Sequence, residues 1–319
     1  MTGDGDGDGD GDGDGDGDGD GDGEDAYRNI PDMVRVTMVM AQILVTGATG
    51  NVGREVAAQL ISAGVPVRAF VRDARTTRLP EGVEIATGDL SEPETLERAL
   101  NGITTVFLVW PFLTSEGAPA VLDTIAGSAR RLVYLSSSGV HEDAGRQTDP
   151  INQLHADLES LIEASGLEWT ILRADTIASN ALGWAGQIRQ DGVVRGPDIA
   201  PTAVVHQADV AAAAARVLTG DGHVGATHVL TGPQVVSRAD QVRLIGEAIG
   251  RPLRFEKVPV EAARERMLAD GRPPALVEAL LASTRRPRSD LITSTVEEIV
   301  GRPARTFREW ASDHAADFR

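Results

Sequence analysis

Residues 43–53 read Ile-Leu-Val-Thr-Gly-Ala-Thr-Gly-Asn-Val-Gly, and this stretch decides the fold. Its apolar start predicts a short buried strand, and the apolar spacing that follows predicts a helix, so the glycines occupy a strand-to-helix turn. Gly47 allows the tight turn, Gly50 lets a pyrophosphate approach the backbone amides, and Gly53 lets the helix pack against the strand. A glycine-rich turn without a ligand is the alternative. The order of strand, glycines and helix favours a dinucleotide site formed by Gly47, Thr49, Gly50, Asn51, Val52 and Gly53.

The end of the next predicted strand, residues 66–71, indicates which dinucleotide is bound. An NAD-specific site would place Asp or Glu there to hold the ribose hydroxyls, whereas this chain has Arg72 followed by Asp73. An arginine at this point can pair with the 2′-phosphate of NADP, and Arg54 could also reach that phosphate. NADP(H) is therefore the favoured cofactor. NAD(H) is the alternative, with Arg72 solvated and Asp73 on the ribose.

Three further residues follow the strands that the pattern predicts at 83–87 and 104–109. We expect Asp89 and Leu90, after the first of these strands, to contact the adenine. Trp110, after the second, either lines the nicotinamide pocket or packs in the core. These residues extend the predicted cofactor site along the sheet edge where ligands of open α/β sheets bind.

Strand and helix patterns alternate from residue 41 to residue 172, and strands separated by helices imply right-handed crossovers. The predicted fold class is α/β, a Rossmann-type doubly wound parallel sheet with a smaller, mostly helical C-terminal substrate-binding part. We assign residues 38–178 to an NAD(P)-binding domain that residues 203–232 rejoin, and residues 179–319 to the substrate-binding part. Residues 1–37 form a Gly-Asp tail that is predicted to be disordered, because it alternates charge and glycine without an apolar position.

The composition excludes several classes of function. The 319 residues include no Cys, which excludes disulfides and thiolate metal sites, and no metal site is expected elsewhere. Residues 1–25 hold twelve acidic residues and no basic one, so the formal charge of −18 leaves only −6 on the remainder. Nothing basic is concentrated enough for nucleic acid, and no apolar run is long enough for a membrane span. We expect a cytoplasmic protein that acts on a small molecule and could form a homodimer.

The chain resembles the atypical short-chain dehydrogenase/reductase proteins of the NmrA-like, NAD(P)H-binding type from about residue 41 to residue 318. The resemblance rests on the motifs Thr46–Gly53, Val71–Asp73, Gly88–Leu90, Leu135–Ser138, Gly166–Arg173, Leu230–Pro233 and Gly301–Phe307. It implies a dinucleotide-binding Rossmann fold. The family includes NADPH-dependent quinone and triphenylmethane-dye reductases, and redox-sensing regulators that do not turn the dinucleotide over. Family members have Pro after the position of Arg173, whereas this chain has Ala174 and Asp175.

The chain lacks the Tyr-x-x-x-Lys dyad with which reductases of the parent superfamily protonate their product. It has two tyrosines, Tyr27 and Tyr134, and its only lysine is Lys257, so the spacing cannot be met. Ile151 stands where the tyrosine would be and His155 where the lysine would be, with Glu159 one turn later. Hydride transfer without a placed acid favours acceptors that spread the incoming charge, or no turnover at all.

Three residues are candidates for catalysis in place of the dyad. Ser138 lies in the serine turn where the superfamily keeps a substrate-binding serine, His155 is a candidate proton donor near physiological pH, and Asp175 follows the strand predicted at residues 169–172. A helix-surface role for His155 and a capping role for Asp175 are the structural alternatives. We also expect Trp184, Ile188 and Val194 to wall an apolar pocket or to pack between the two parts.

Three functions fit these observations. The first is an NAD(P)H-dependent reductase that transfers hydride to a small conjugated acceptor, such as a quinone-like or aromatic polyketide-like compound. The second is a non-catalytic NAD(P)-binding redox sensor or regulatory protein, which the missing dyad supports equally well. The third, a sugar-nucleotide epimerase-like isomerase, is weakened because oxidation of a sugar hydroxyl needs the missing base.

Overall fold

The computed structural model describes residues 42–142, 144–147 and 149–319. The chain divides into two units, Met1–Val39 and Met40–Arg319, and the description below concerns the second. The predicted disordered tail, residues 1–37, lies outside the described residues.

A seven-stranded sheet, parallel at every pairing, forms the centre of this unit. Its strand order is β3-β2-β1-β4-β5-β6-β8, so the order reverses between β1 and β4. In open α/β sheets the crevice at such a reversal, outside the carboxyl ends of the strands, is the ligand site. The strands are β1 (Gln42–Thr46), β2 (Val67–Val71), β3 (Glu84–Thr87), β4 (Ile103–Leu108), β5 (Arg131–Ser137), β6 (Glu168–Ala174) and β8 (Ala226–Leu230).

Helices cover both faces of the sheet, as the predicted doubly wound fold requires. Successive residues of β1 show why: Ile43 and Val45 pack in the cluster that includes α1 and α6, whereas Leu44 packs in the cluster that includes α2, α3 and α4. A parallel strand that is buried on both faces has a continuous run of apolar residues in its sequence. The helices are α1 (Asn51–Ser62), α2 (Pro93–Ala99), α3 (Ala118–Ala126), α4 (Pro150–Glu163), α5 (Ala185–Asp191), α6 (Gln207–Thr219), α7 (Arg238–Ile249), α8 (Val260–Ala269), α9 (Pro274–Ala282), α10 (Thr295–Val300) and α11 (Phe307–Asp313).

The later part of the chain builds a third apolar cluster around the fully buried Trp310, which lies against Phe307 and Phe318. The short strands β7 (Val193–Gly196) and β9 (Arg254–Lys257) pair in parallel beside it. Ile188 and Val194 are buried members of this cluster and Trp184 packs against it. These three residues therefore pack within the C-terminal part, whereas the structural alternative had them pack between the two parts.

The connection from α9 to α10, residues 283–294, returns to the carboxyl edge of the central sheet. Thr293 holds it there: its amide donates to Oγ1 of Thr231 (3.0 Å), and its Oγ1 donates to the carbonyl of Val229 in β8 (2.8 Å). A segment far along the sequence is thus fixed next to the ends of the strands.

Candidate functional site

The glycine turn between β1 and α1 has the geometry that close approach of a ligand requires. Gly47 has a φ of +60°, in the left-handed region, and a Cβ on Gly53 would lie 2.3 Å from the carbonyl oxygen of Gly47. Gly50 precedes α1 and offers no side-chain cap, so the first amides of the helix point out of the turn without an intrahelical partner. Uncapped amides of this kind suit a pyrophosphate.

Thr46 fixes this turn against the loop that follows β4. Its fully buried Oγ1 accepts a hydrogen bond from the amide of Val109 (2.8 Å) and lies 3.2 Å from the carbonyl oxygen of the same residue. A Cβ on Gly47 would meet Cβ of Val109 at 2.9 Å. The ends of β1 and β4 therefore approach each other at the reversal of strand order, where the crevice is expected.

Arg72 and Asp73, which follow β2, differ in their hydrogen bonds. Among the described residues, no hydrogen-bond partner is found for Arg72, whose side chain is exposed at the end of β2. Asp73 instead accepts hydrogen bonds from the amide of Arg75 (2.9 Å) and from its guanidinium (3.2 Å), which lower the pKa of the Asp73 carboxyl. The Asp73 carboxylate is thus hydrogen-bonded within its own loop, whereas the Arg72 guanidinium is exposed and accessible to a ligand.

The three remaining residues of the predicted cofactor site are placed differently. Asp89 accepts a hydrogen bond from the amide of Ser91 (2.9 Å), and this bond lowers its pKa, with a smaller contribution from the charge of Arg72. Leu90 and Trp110 are buried in the cluster on the α3 side of the sheet. Trp110 Nε1 donates to the carbonyl of Thr114 (2.9 Å), so its contacts favour core packing over the nicotinamide pocket.

The structure brings Ser138 and Asp175 together. The amide of Ser138 donates to the carbonyl of Ala174 (3.0 Å), the residue before Asp175, while the amide of Asp175 donates to Leu230 at the end of β8 (2.9 Å). Both residues therefore stand at the carboxyl edge, on neighbouring strand ends. Burial raises the pKa of the Asp175 carboxyl, against the opposing effect of hydrogen bonds from the backbone.

His155 does not join this pair. It lies on the side of α4 that faces the sheet, with Nδ1 2.7 Å from the hydroxyl oxygen of the fully buried Tyr134. Burial lowers the pKa of His155 to about 4, so the ring is neutral at pH 7. The role predicted for His155 as a proton donor stays a prediction, and both its contact and its protonation state weigh against it.

A buried ion pair lies beneath the site. Arg173 of β6 donates to both carboxylate oxygens of Glu159 on α4, the closest contact being 2.7 Å, and the hydroxyl of Ser136 in β5 also donates to Glu159. Arg173 further contacts the exposed Glu142 at 2.9 Å. A fully hydrogen-bonded pair of this kind ties α4 to the strands that end in Ser138 and Asp175.

Arg286 is a residue that the sequence patterns did not single out. It comes from the connection between α9 and α10, and its Nε and Nη2 donate to the two carboxylate oxygens of Asp149 at 2.6 and 3.2 Å. Asp149 caps α4 by accepting from the amide of Asn152 (3.0 Å). The run Arg285-Arg286-Pro287-Arg288 was the available signal, but only the fold places it at the carboxyl edge.

A cavity of about 410 Å³ opens between the loop after β4 and the start of α4. Leu113 and Leu154 give it apolar wall, Gln153 and Asp149 supply polar groups, and Arg146 is its basic residue. Its volume lies within the range of small-molecule pockets, and its lining is more polar than is usual for them.

His206 and Asp209, which the sequence places near each other, serve the packing of α6. His206 Nδ1 accepts from the amide of Ala208 at the start of the helix (3.0 Å), and Asp209 pairs with Arg302 and Arg305 at 2.7 and 3.0 Å. Within the described ranges, no group of three or more His, Cys, Asp or Glu side chains could hold a metal ion. In the same part of the chain, no helix is both long and apolar enough to cross a membrane.

Comparison with known proteins identifies what this arrangement resembles. A family described as NAD(P)H-binding matches residues 47–221. The chain is 42% identical over 282 residues to a (4-alkanoyl-5-oxo-2,5-dihydrofuran-3-yl)methyl phosphate reductase of Streptomyces griseus, covering 86% of this chain and 99% of the relative. It is 34% identical over 283 residues to an NAD(P)H azoreductase of Xenophilus azovorans, covering 86% and 99%. Among solved structures, an NADPH-dependent quinone oxidoreductase of Escherichia coli shares the fold, with a TM-score of 0.69, 24% identity, and coverage of 85% and 98%.

Proposed function

Because the chain belongs to the NAD(P)H-binding family, as an atypical short-chain dehydrogenase/reductase, we propose that it reduces a small conjugated acceptor. The observation that carries the proposal is the shared edge of the sheet. The glycine turn that suits a pyrophosphate and the pair Ser138 and Asp175 stand at the carboxyl ends of strands in one parallel sheet. This is where an open α/β sheet would hold both a dinucleotide and its reaction partner.

NADPH is the proposed reductant. Arg72 at the end of β2 is exposed, whereas the Asp73 carboxylate accepts hydrogen bonds from Arg75. A guanidinium in this position can make charge-assisted hydrogen bonds to a 2′-phosphate. The amides of Asn51, Val52 and Gly53 would hold the pyrophosphate.

The proposed acceptor is a carbon–carbon double bond conjugated with carbonyl groups. The Streptomyces griseus relative is named for a dihydrofuran whose ring double bond is flanked by a lactone carbonyl and an alkanoyl group. Negative charge that arrives on such a system spreads over two oxygens, so the reaction does not require the Tyr-x-x-x-Lys dyad that this chain lacks. Quinones and azo compounds also delocalise the incoming negative charge, over oxygen and nitrogen atoms respectively, and belong in the same group of test substrates.

Each residue at the edge then has a task. Bound NADPH supplies the hydride. Ser138 can orient a carbonyl oxygen of the acceptor through its hydroxyl. Asp175, whose pKa burial raises, keeps a larger protonated fraction near neutral pH than an exposed aspartate and can deliver a proton to carbon. The neutral His155 takes no part.

The test is consumption of NADPH, followed at 340 nm, by the purified protein with alkanoyl dihydrofuranones, quinones and azo dyes. We expect turnover of at least one conjugated acceptor, with reduction of the double bond visible by NMR of the product. Tight binding of NADPH without consumption across the whole group would reject the proposal and support the sensor function. NADH serves as the matched control for the assignment of the cofactor.

A further inference from the structure

We propose that Arg286 is a catalytic residue, whose guanidinium stabilises the negative charge that develops on an acceptor oxygen during hydride transfer. The inference rests on the proposed function and deepens it. A residue of the connection between α9 and α10 would then stabilise the developing negative charge, a task that the missing dyad cannot perform in this chain.

The position of Arg286 is the first argument. Its guanidinium contacts Asp149 and lies 3.5 Å from Oδ1 of Asn152, two residues that flank Ile151 in the first turn of α4. Ile151 stands where the superfamily has its tyrosine. Arg286 therefore brings a positive charge to the turn from which a phenol would otherwise reach the acceptor.

The orientation of the guanidinium is the second argument. A guanidinium has five N–H donors, and Arg286 uses Nε and Nη2 on the side chains of Asp149 and Asn152. Among the described residues, Nη1 has no hydrogen-bond partner, and about a third of the side chain is exposed. Asp149 is itself buried and held by the amide of Asn152. One edge of the guanidinium is thus fixed and the other is left with donors for a ligand.

The electrostatic surroundings are the third argument. Burial raises the pKa of Asp175 and lowers that of His155. The positive charge of Arg286 makes a smaller contribution, which lowers the pKa of both groups. It therefore lies close enough to influence the strand ends where Ser138 and Asp175 meet. Arg288, two residues away, instead pairs with Asp290 at 3.0 Å in an exposed position.

The chemistry balances with the groups named. A carbon–hydrogen bond forms at the β carbon of the acceptor as NADPH is oxidised to NADP⁺, and the π electrons move onto the conjugated oxygen. The N–H groups of Arg286 stabilise that oxyanion, as donors placed for a developing charge do in other enzymes. A proton from Asp175 then adds to the α carbon, and solvent returns a proton to Asp175.

The test compares Arg286→Met and Arg286→Lys with Arg288→Met, an arginine of the same segment. For a dihydrofuranone we expect Arg286→Met to lower kcat by roughly 10²–10³-fold, the effect of removing one oxyanion donor. The loss should be much smaller for an electron-poor quinone, which stabilises the charge by itself. Arg286→Lys should recover part of the rate because it keeps the charge, and Arg288→Met should behave as wild type.

Arg286→Met leaves the buried Asp149 without its partner, so the double variant Asp149→Asn/Arg286→Met separates misfolding from catalysis. Every variant should retain its affinity for NADPH, measured by calorimetry. Equal losses for both acceptors, or a rise in KM alone for a phosphorylated acceptor, would overturn the inference, the latter by making Arg286 a phosphate-binding residue. If the wild-type protein consumes no NADPH with any acceptor, the proposed function itself fails and the inference fails with it.

Discussion

The hydroxyl oxygen of Tyr134 lies 2.7 Å from Nδ1 of His155 in the interior of the molecule. Burial and the nearby Glu159 carboxylate raise the pKa of this phenol. The tyrosine that the structure describes is thus a packing residue, and the proposed reaction has to proceed without it.

Replacing Tyr134 with Phe should therefore leave the rate of NADPH oxidation unchanged. The variant leaves Nδ1 of the largely buried His155 without its hydrogen-bond partner, so we expect the free energy of unfolding to fall by about 1–3 kcal/mol. Urea denaturation measures the stability, and absorbance at 340 nm measures the rate. A loss of kcat in a folded Tyr134→Phe protein would show that the phenol takes part in catalysis.

Arg72→Ala should weaken the binding of NADPH much more than the binding of NADH. Removing a charge-assisted hydrogen bond to the 2′-phosphate costs roughly 1.5–3 kcal/mol, and NADH has no such phosphate to lose. Calorimetric titration with both dinucleotides gives the comparison. Arg98→Ala, on the exposed surface of α2, is the control. Equal weakening of both dinucleotides would reject the assignment of Arg72.

Gly53→Ala should abolish dinucleotide binding and lower the stability, because the added Cβ would lie 2.3 Å from the carbonyl oxygen of Gly47. Backbone atoms cannot yield cheaply to such a contact, so the turn itself must shift. Gly183→Ala is the matched control, since a Cβ there has no atom within 4 Å. Thermal unfolding and NADPH titration of the two variants should diverge. Normal NADPH affinity in Gly53→Ala would mean that the turn does not hold the cofactor.

His155 should make the protein less stable as the pH falls from about 6.5 towards 4. Its pKa in the folded protein is about 4, below the ordinary value of 6.5, so in this window the unfolded state binds more protons. Stability is therefore full above pH 6.5 and decreases on acidification, by about 3 kcal/mol at most for the full shift. His155→Gln should flatten this part of the pH profile. Parallel profiles for the wild type and His155→Gln would contradict the lowered pKa.

The fold could be predicted from the sequence because each parallel strand is a short apolar run bounded by turn residues. The predicted strands at residues 66–71 and 83–87 each begin one residue before β2 and β3 and end with them. β7 and β9 were missed because each has four residues and carries charged side chains that interrupt the apolar pattern.

The site could be predicted only where local geometry determines it. The glycine turn depends on residues that are neighbours in sequence, and Ser138 and Asp175 follow strands whose ends must meet in a parallel sheet. Leu90 was expected to contact the adenine, and Trp110 either to line the nicotinamide pocket or to pack in the core; both side chains are buried in the cluster on the α3 side. The direction of a side chain after a strand depends on packing that the sequence pattern does not report. Arg286 was missed because its partner Asp149 lies 137 positions away.

The hydrogen bonds of Thr293 to Val229 and Thr231 fix the α9–α10 connection independently of the glycine turn after β1. The glycine turn proposed to hold the nucleotide follows β1, whereas the α9–α10 connection is fastened beside β8, the last strand in the sheet order, by two hydrogen bonds of its own. We therefore expect insertions or exchanges upstream of Thr293 to change the proposed acceptor site and to leave the affinity for NADPH unaltered. This connection is thus the segment to exchange between homologous chains when acceptor selectivity is to be changed.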